Sequence, residues 1–392
     1  MAPTPLSARY HAMVRFLLPA MLAMLTAGPA RAADRAILRL TLYSDTLANI
    51  SGGAIPGTAQ IFQLDANLTL DADALWGWRQ TKFYLRGFAN NGDSIGAFSG
   101  DAMGIDSWET GRREARLIEA WVDHEFAAGR IGVRAGLYDT TTDFDSSRTD
   151  AFFLNNAAGM NTPMLVSGRG GPPTFPATAP GVRVRWLRDD HWTLKAAVMD
   201  GVSGNAAVMT VGPHGALLLG EARYHDDSGR RLVLGAWRYT ASFDRIDAPI
   251  AERGQQGLYL AGDVMLYHRA DAPLKGLSLG GRIALSDQRF ARFDRFGNIG
   301  LTYNDLRAGH DDRAGLGAFC TETSAGFRAR QETPVGNREC TIEATYRRAL
   351  RPWLFVQPDL QYVFNPIYAP DAGHTLVVGL RLVVTADSSL RR

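Results

Sequence analysis

Cysteine is scarce here: Cys320 and Cys340 are the only two among 392 residues. That excludes a disulfide-rich scaffold, and without a histidine cluster nearby the pair makes a poor zinc site. The eight histidines contain no H-E-x-x-H spacing and no close pair, so neither a catalytic metal nor any other cofactor is expected. Ser167-Gly168 and Ser203-Gly204 lack the G-x-S-x-G frame of an activated serine. Beyond the N-terminus no apolar run reaches the ~18–20 residues of a membrane helix. Repeats and low-complexity tracts are missing too. So is an excess of one charge: the formal net charge is +2. That balance gives no reason to expect nucleic acid as a partner.

The small positive excess lies in the first residues. Arg9 and Arg15 precede the apolar run Phe16–Ala27, and Ala30-Arg31-Ala32 supplies an A-x-A cleavage site. This pattern predicts a secretory signal over residues 1–32, leaving a single domain over 33–392. Residues 1–32 contain three arginines and no acid, so their removal lowers +2 by three, to −1. Export places the cysteines in an oxidising compartment. A Cys320–Cys340 disulfide is therefore expected across the polar stretch Thr321–Glu339, contributing about 3 kcal/mol by loop closure.

What the chain does have is glycine (41 residues), aromatics (10%) and period-two alternation. Alternating segments run over Ile37–Tyr43, Ala59–Leu70, Thr81–Ala89, Arg116–Phe126, Arg130–Tyr138, Val182–Leu187 and Trp192–Met199. They continue over Ala216–His225, Arg231–Thr240, Gly257–His268, Gly276–Ser286, Ile299–Leu306, Ala314–Phe319, Cys340–Arg348, Trp353–Phe364 and Thr375–Val384. These are sixteen strands. Short polar links such as Ala127–Gly129, Asp189–His191 and Asp226–Arg230 alternate with longer ones at 90–115, 139–180, 201–215, 241–256 and 320–339. Short turns on one rim and long loops on the other predict an all-β, transmembrane antiparallel barrel in an outer membrane. The 90–115, 139–180 and 320–339 loops are expected outside. A soluble β-sandwich shares the alternation, but sixteen strands would need two domains, and no linker is visible.

Asp139–Pro180 has no sustained period, yet Phe144, Phe152, Phe153, Leu154, Met160 and Phe175 punctuate it, and it ends in a stiff Gly/Pro-rich run. Loops of this length are functional or disordered; the apolar punctuation predicts an ordered one that folds inward. A sixteen-stranded barrel would otherwise enclose an open channel.

Gly136-Leu-Tyr-Asp139, Asp143-Phe-Asp145, Phe153-Leu-Asn155, Gly171-Pro-Pro-Thr-Phe-Pro176, Gly181-Val-Arg-Val-Arg185 and Val198-Met-Asp-Gly201 resemble the carbohydrate-selective porin family of Gram-negative bacteria. Gln357-Pro-Asp-Leu-Gln-Tyr-Val-Phe-Asn-Pro366 and Val378-Gly-Leu-Arg-Leu382 resemble its C-terminal strands, and Glu119-Ala-Trp121 fits the strand before the long loop. The resemblance spans residues 37–384. It implies a sixteen-stranded barrel conducting sugars, glucose above all, by diffusion through a charged constriction. One departure is the tail Ala386–Arg392, read as trailing past the last strand, where such barrels commonly end on an aromatic.

Passage of sugar requires hydroxyls to exchange water for protein partners weakly and at several places. Tyr84, Arg86, Glu119, Trp121, Asp123, Arg134, Arg183 and Arg185 supply donors, acceptors and aromatic faces on the side assigned to the lumen, so they are the expected pathway and constriction. Asp143 and Asp145 are two apart on an extended segment and point to opposite sides, which is unsuited to paired-carboxylate hydrolysis; with Asp139 they are expected to pin the loop. The expected function is passive uptake of small sugars across the lipid bilayer of the outer membrane. A general or anion-selective pore, and a secreted non-transporting β-barrel protein, remain alternatives. An oligomer is left open.

Overall fold

The computed structural model describes residues 35–204, 214–269, 272–307 and 311–390. The leader assigned to residues 1–32 lies outside them. Sixteen antiparallel strands close into one barrel. The first nine are β1 (Ala36–Gly52), β2 (Gly57–Asp71), β3 (Thr81–Asn90), β4 (Glu114–Phe126), β5 (Ile131–Tyr138), β6 (Ala179–Leu187), β7 (Trp192–Asp200), β8 (Ala216–His225) and β9 (Arg231–Tyr239). Two short strands, β10 (Ser242–Asp244) and β11 (Ala251–Arg253), make a separate ribbon in the next connection. The barrel resumes with β12 (Gln256–Arg269), β13 (Ala272–Ser286), β14 (Phe293–Asn304), β15 (Asp312–Thr323), β16 (Arg338–Arg351), β17 (Leu354–Phe364) and β18 (His374–Leu390).

Alternation decides which way each strand faces. On β6, Val182, Val184 and Trp186 are 41%, 43% and 47% exposed, whereas Arg183 between them is 2% exposed. Leu234 on β9, Ile283 on β13, Ile299 on β14 and Leu316 on β15 repeat the exposed apolar pattern. Apolar side chains outside and charges inside are the reverse of a soluble sandwich and suit a lipid-facing wall. Closure satisfies the edges that hydrocarbon could not: β1 pairs with β18 from Ala36–Leu390 to Gly52–Thr375.

Four strands depart most from the sequence reading. β1 runs on to Gly52 rather than ending at Tyr43. There the inward Leu47 packs with Ile61, Ile95, Ile105, Val363 and Val377, so the polar-in rule fails, as it does where Leu217, Leu219, Val233 and Trp237 pack in one cluster with the loop residues Phe144, Met160 and Met164. β14 and β15 are longer than Ile299–Leu306 and Ala314–Phe319 suggested; glycines at 297, 300, 315 and 317 thin out their apolar period. The tail through Leu390 belongs to β18 instead of trailing past it.

Candidate functional site: a loop-narrowed lumen

The connection from β5 to β6 turns into the barrel and is tied down by carboxylates. Asp139 accepts from the N–H of Thr141 at 2.9 Å and of Phe175 at 3.2 Å. Asp145 adopts a positive φ of 52°, which asparagine and aspartate tolerate better than most residues. Its carboxylate accepts from the N–H of Asn161 at 2.7 Å and from Arg282 of β13 at 2.6 Å, with both side chains fully buried. On the wall, Glu343 of β16 accepts from the N–H groups of Leu154 and Asn155 at 2.7 and 3.1 Å, and Asp263 of β12 accepts from Thr149 at 3.1 Å. Glycines make the seat. A Cβ at Gly315 would stand 2.7 Å from the Phe152 ring, and one at Gly300 2.9 Å from Phe153.

A second loop, 91–113, enters the lumen as well. The sequence places it among the long outer-rim connections but does not reveal that it folds inward. Ala102 and Met103 donate their N–H groups to Glu339, Asp106 pairs with Arg381 at 3.0 Å, and the two loops bond directly, Ser107 N–H to the Leu154 carbonyl and Asn156 N–H to that of Gly104, both at 2.9 Å. Its anchors are single acids without a period, so alternation alone could not reveal them.

The residues expected on the pathway gather on the β3–β6 wall. Tyr84 and Trp121 stack with centroids 4.9 Å apart, and the Arg134 guanidinium lies 3.8 Å over Trp121. Arg134 is held by Asp123 at 2.9 Å and Asp143 at 3.2 Å. Arg183 shares both partners, at 2.8 and 3.1 Å, while Arg185 pairs with Glu125 at 2.7 Å. Arg86 forms a neighbouring network with Asp65 (3.2 Å), Glu119 (3.5 Å) and Asp139 (3.9 Å), and Trp121 donates its indole N–H to Glu119. Trp121, Asp123, Arg134, Asp143, Arg183 and Arg185 line one cavity of about 440 Å³ that opens toward the short-turn rim. Burial pushes the Asp143 carboxyl upward, but Lys195, Arg134 and Arg183 outweigh it and hold it down at about 2.

The three loop aspartates divide their work. Asp139 collects the backbone N–H groups of Thr141 and Phe175; Asp145 combines the Asn161 N–H with the Asn161 amide and Arg282; Asp143 takes side-chain donors from the wall, including the Tyr138 hydroxyl at 2.5 Å. Arg183 is nearly inaccessible, and its donors are spent on Asp123, Asp143 and the Gly132 carbonyl. Sequence reasoning missed Arg282, Arg381, Glu221, Glu339 and Glu343. They sit at inward positions of later strands, so a face-by-face reading of β8, β13, β16 and β18 was the available signal. Cys320 and Cys340 are directly opposed across β15 and β16, with Cα atoms 4.1 Å apart, and form a disulfide. It fastens two strands at the foot of a loop shorter than Thr321–Glu339. Among the described residues no group of three His, Cys, Asp or Glu is placed to hold a metal ion.

A barrel with a charged, loop-narrowed lumen has close parallels. The profile described as carbohydrate-selective porin, OprB family, matches residues 56–385. The chain belongs to this family. As an OprB-family porin it resides in the outer membrane and is a channel by family and fold. Porin B of Pseudomonas aeruginosa is 22% identical, over 88% of this chain and 86% of that one. The high-pH structure of Pseudomonas putida OprB superimposes with a TM-score of 0.82 at 18% identity, covering 90% of this chain and 94% of that chain. OmpF of Salmonella typhi shares the barrel more distantly, with a TM-score of 0.58 at 10% identity over 91% and 98% of the two chains.

Proposed function

We propose that this porin passes glucose-like monosaccharides by diffusion between the inward loop and the β3–β6 wall, with Tyr84, Trp121, Arg86 and Arg134 touching sugar. The carrying observation is the stack of Arg134 on Trp121, both lining the cavity, with Tyr84 stacked on Trp121 behind it. Aromatic faces pack the apolar side of a pyranose, and arginine offers several donors to hydroxyls. Because Arg134 is already paired with Asp123 and Asp143, a hydroxyl competes for its donors rather than finding them vacant. That keeps binding weak, as conduction requires.

Charge balance supports sugar over anion selectivity at this place. Asp71, Asp73, Asp123, Glu125 and Asp143 line the cavity beside Lys82, Arg134, Arg183 and Arg185. Short turns on the periplasmic rim and long loops outside follow the usual orientation of such barrels, with the mature chain beginning near Ala33. Liposome swelling with a panel of sugars, amino acids and anions tests the reading. Sugars should swell vesicles fastest; equal rates for amino acids and sugars of similar size would refute selectivity.

A further inference from the structure

A second cavity lies across the lumen, on the same periplasmic side of the two loops. It is about 400 Å³, within the ~300–1,000 Å³ of small-molecule sites. Its floor comes from β1, β16, β17 and β18, and its roof from Trp108 of one loop and Phe152 of the other. The charge pattern is unlike that of the β3–β6 cavity. Arg39, Arg347 and Arg381 line it, and no carboxylate does.

The three arginines are not equivalent. Arg381 is held from behind by Asp45 and Asp106, and Arg39 by Asp387 at 2.7 Å. The Arg347 side chain has neither an ion pair nor a hydrogen bond among the described residues, and its Nε is buried without a partner. It rests on aromatic rings instead, 5.5 Å from Phe355 and 5.8 Å from Phe152. Arg313 flanks the same Phe152 ring at 4.5 Å and spends its Nη2 on the Arg148 and Thr149 carbonyls and the Thr302 hydroxyl, not on an acid. Two guanidiniums without carboxylates therefore share one ring. Arg347 is half-buried, and a cation facing a cavity without a counter-charge attracts an anion into it.

The other walls describe the rest of the ligand. Tyr43 and Trp108 meet at 4.7 Å between centroids, offering an aromatic face, while Thr41, Gln357 and Thr385 offer hydroxyls and an amide. We propose that this cavity is a binding site for a hexose carrying one anionic group, carboxylate or phosphate, with Arg347 as the residue that meets the charge. The inference rests on the sugar-pore reading and adds a charged substrate class at a separate place in the lumen.

The test uses the purified porin in planar bilayers, with glucose, glucuronate, glucose 6-phosphate and acetate each added to the periplasmic side and block of ion current recorded. Glucuronate or glucose 6-phosphate should block the parent at lower concentration than glucose, and whichever does so names the anionic group. For that sugar, Arg347→Gln should raise the half-blocking concentration about tenfold, the loss expected for one charge-assisted hydrogen bond. Glucose block should shift less than about twofold, and Arg347→Lys should restore part of the preference, since the charge returns without the planar fork. Heat-modifiable mobility on gels confirms that each variant is folded. Equal blocking by glucose and both anionic sugars in the parent, or equal weakening of all by Arg347→Gln, would overturn this inference alone. Acetate blocking as well as glucuronate would overturn the sugar part of it. A parent that glucose neither enters nor blocks would sink the sugar-pore reading itself.

Discussion

Arg134 lies 3.8 Å above the ring of Trp121 while its Nε donates to Asp123 at 2.9 Å. One face of the indole is thus covered by a cation whose orientation a carboxylate fixes, and Tyr84 stacks beside it. The arrangement presents a rigid, half-polar surface, which limits the entropy a passing sugar must remove from the protein.

Trp121→Ala and Arg134→Ala should each weaken glucose block of ion current about fivefold, since aromatic packing, and a guanidinium hydrogen bond that competes with two carboxylates, are each worth about 1 kcal/mol. Half-blocking concentrations from single-channel recordings check this. Unchanged values in folded variants would move sugar contact away from this wall.

Gly315→Val should widen the channel. Its Cβ would meet Phe152 at 2.7 Å, and overpacking of this kind costs about 1–3 kcal/mol, paid by the loop seat because the strand is held on both sides. Single-channel conductance should rise and sugar preference fall, as should follow excision of Asn155–Arg169. A folded Gly315→Val channel with parental conductance would show that the loop tolerates losing its seat.

Acid should loosen the loop at Asp143. Its carboxyl sits at about 2, against an ordinary 3.8. A depressed folded value means the stabilisation is complete above the unfolded pKa and is lost as pH falls from about 4 to about 2, amounting to about 2 kcal/mol. Hydrogen exchange of residues 140–145 should accelerate over that window in the parent. In Asp143→Asn, protection relative to the intrinsic exchange rate should be low throughout and nearly independent of pH. A parent whose exchange follows only the intrinsic pH trend would remove Asp143 from the loop's anchorage.

An epitope inserted between Asp226 and Gly229 should be hidden in intact cells, and one near Arg330 exposed. Antibody labelling before and after permeabilisation checks the orientation; the opposite pattern would invert it.

Most of the wall was legible because lipid outside and water inside impose a period of two on every strand, and Arg183 between Val182 and Val184 shows that period plainly. It faded wherever the inside was protein instead of water. Leu47 is inward and apolar because a loop covers it, and Gly300, Gly315 and Gly317 are bare because phenylalanines lie on them. The β3–β6 constellation was visible as inward charges and aromatics. Its pairing was not, since Arg134 and Arg183 share Asp123 and Asp143 only through the register of three strands and one turn of loop. The inward fold of loop 91–113 was hidden for a similar reason: Glu339 and Arg381, which draw it inward, lie more than two hundred residues downstream.

That distance has a consequence for how the channel comes into being. Asp145 meets Arg282 across 137 residues, Leu154 meets Glu343 across 189, and Ala102 meets Glu339 across 237. Contacts so remote form late, because a long chain segment must be ordered before they repay it. The anchors for both loops belong to strands that emerge after them, so neither loop can settle until β13, β16 and β18 stand in the wall. The filter is therefore also a seal of completion: a barrel missing its last strands would be a ring without a gate, and the narrow passage appears only when the circle is whole.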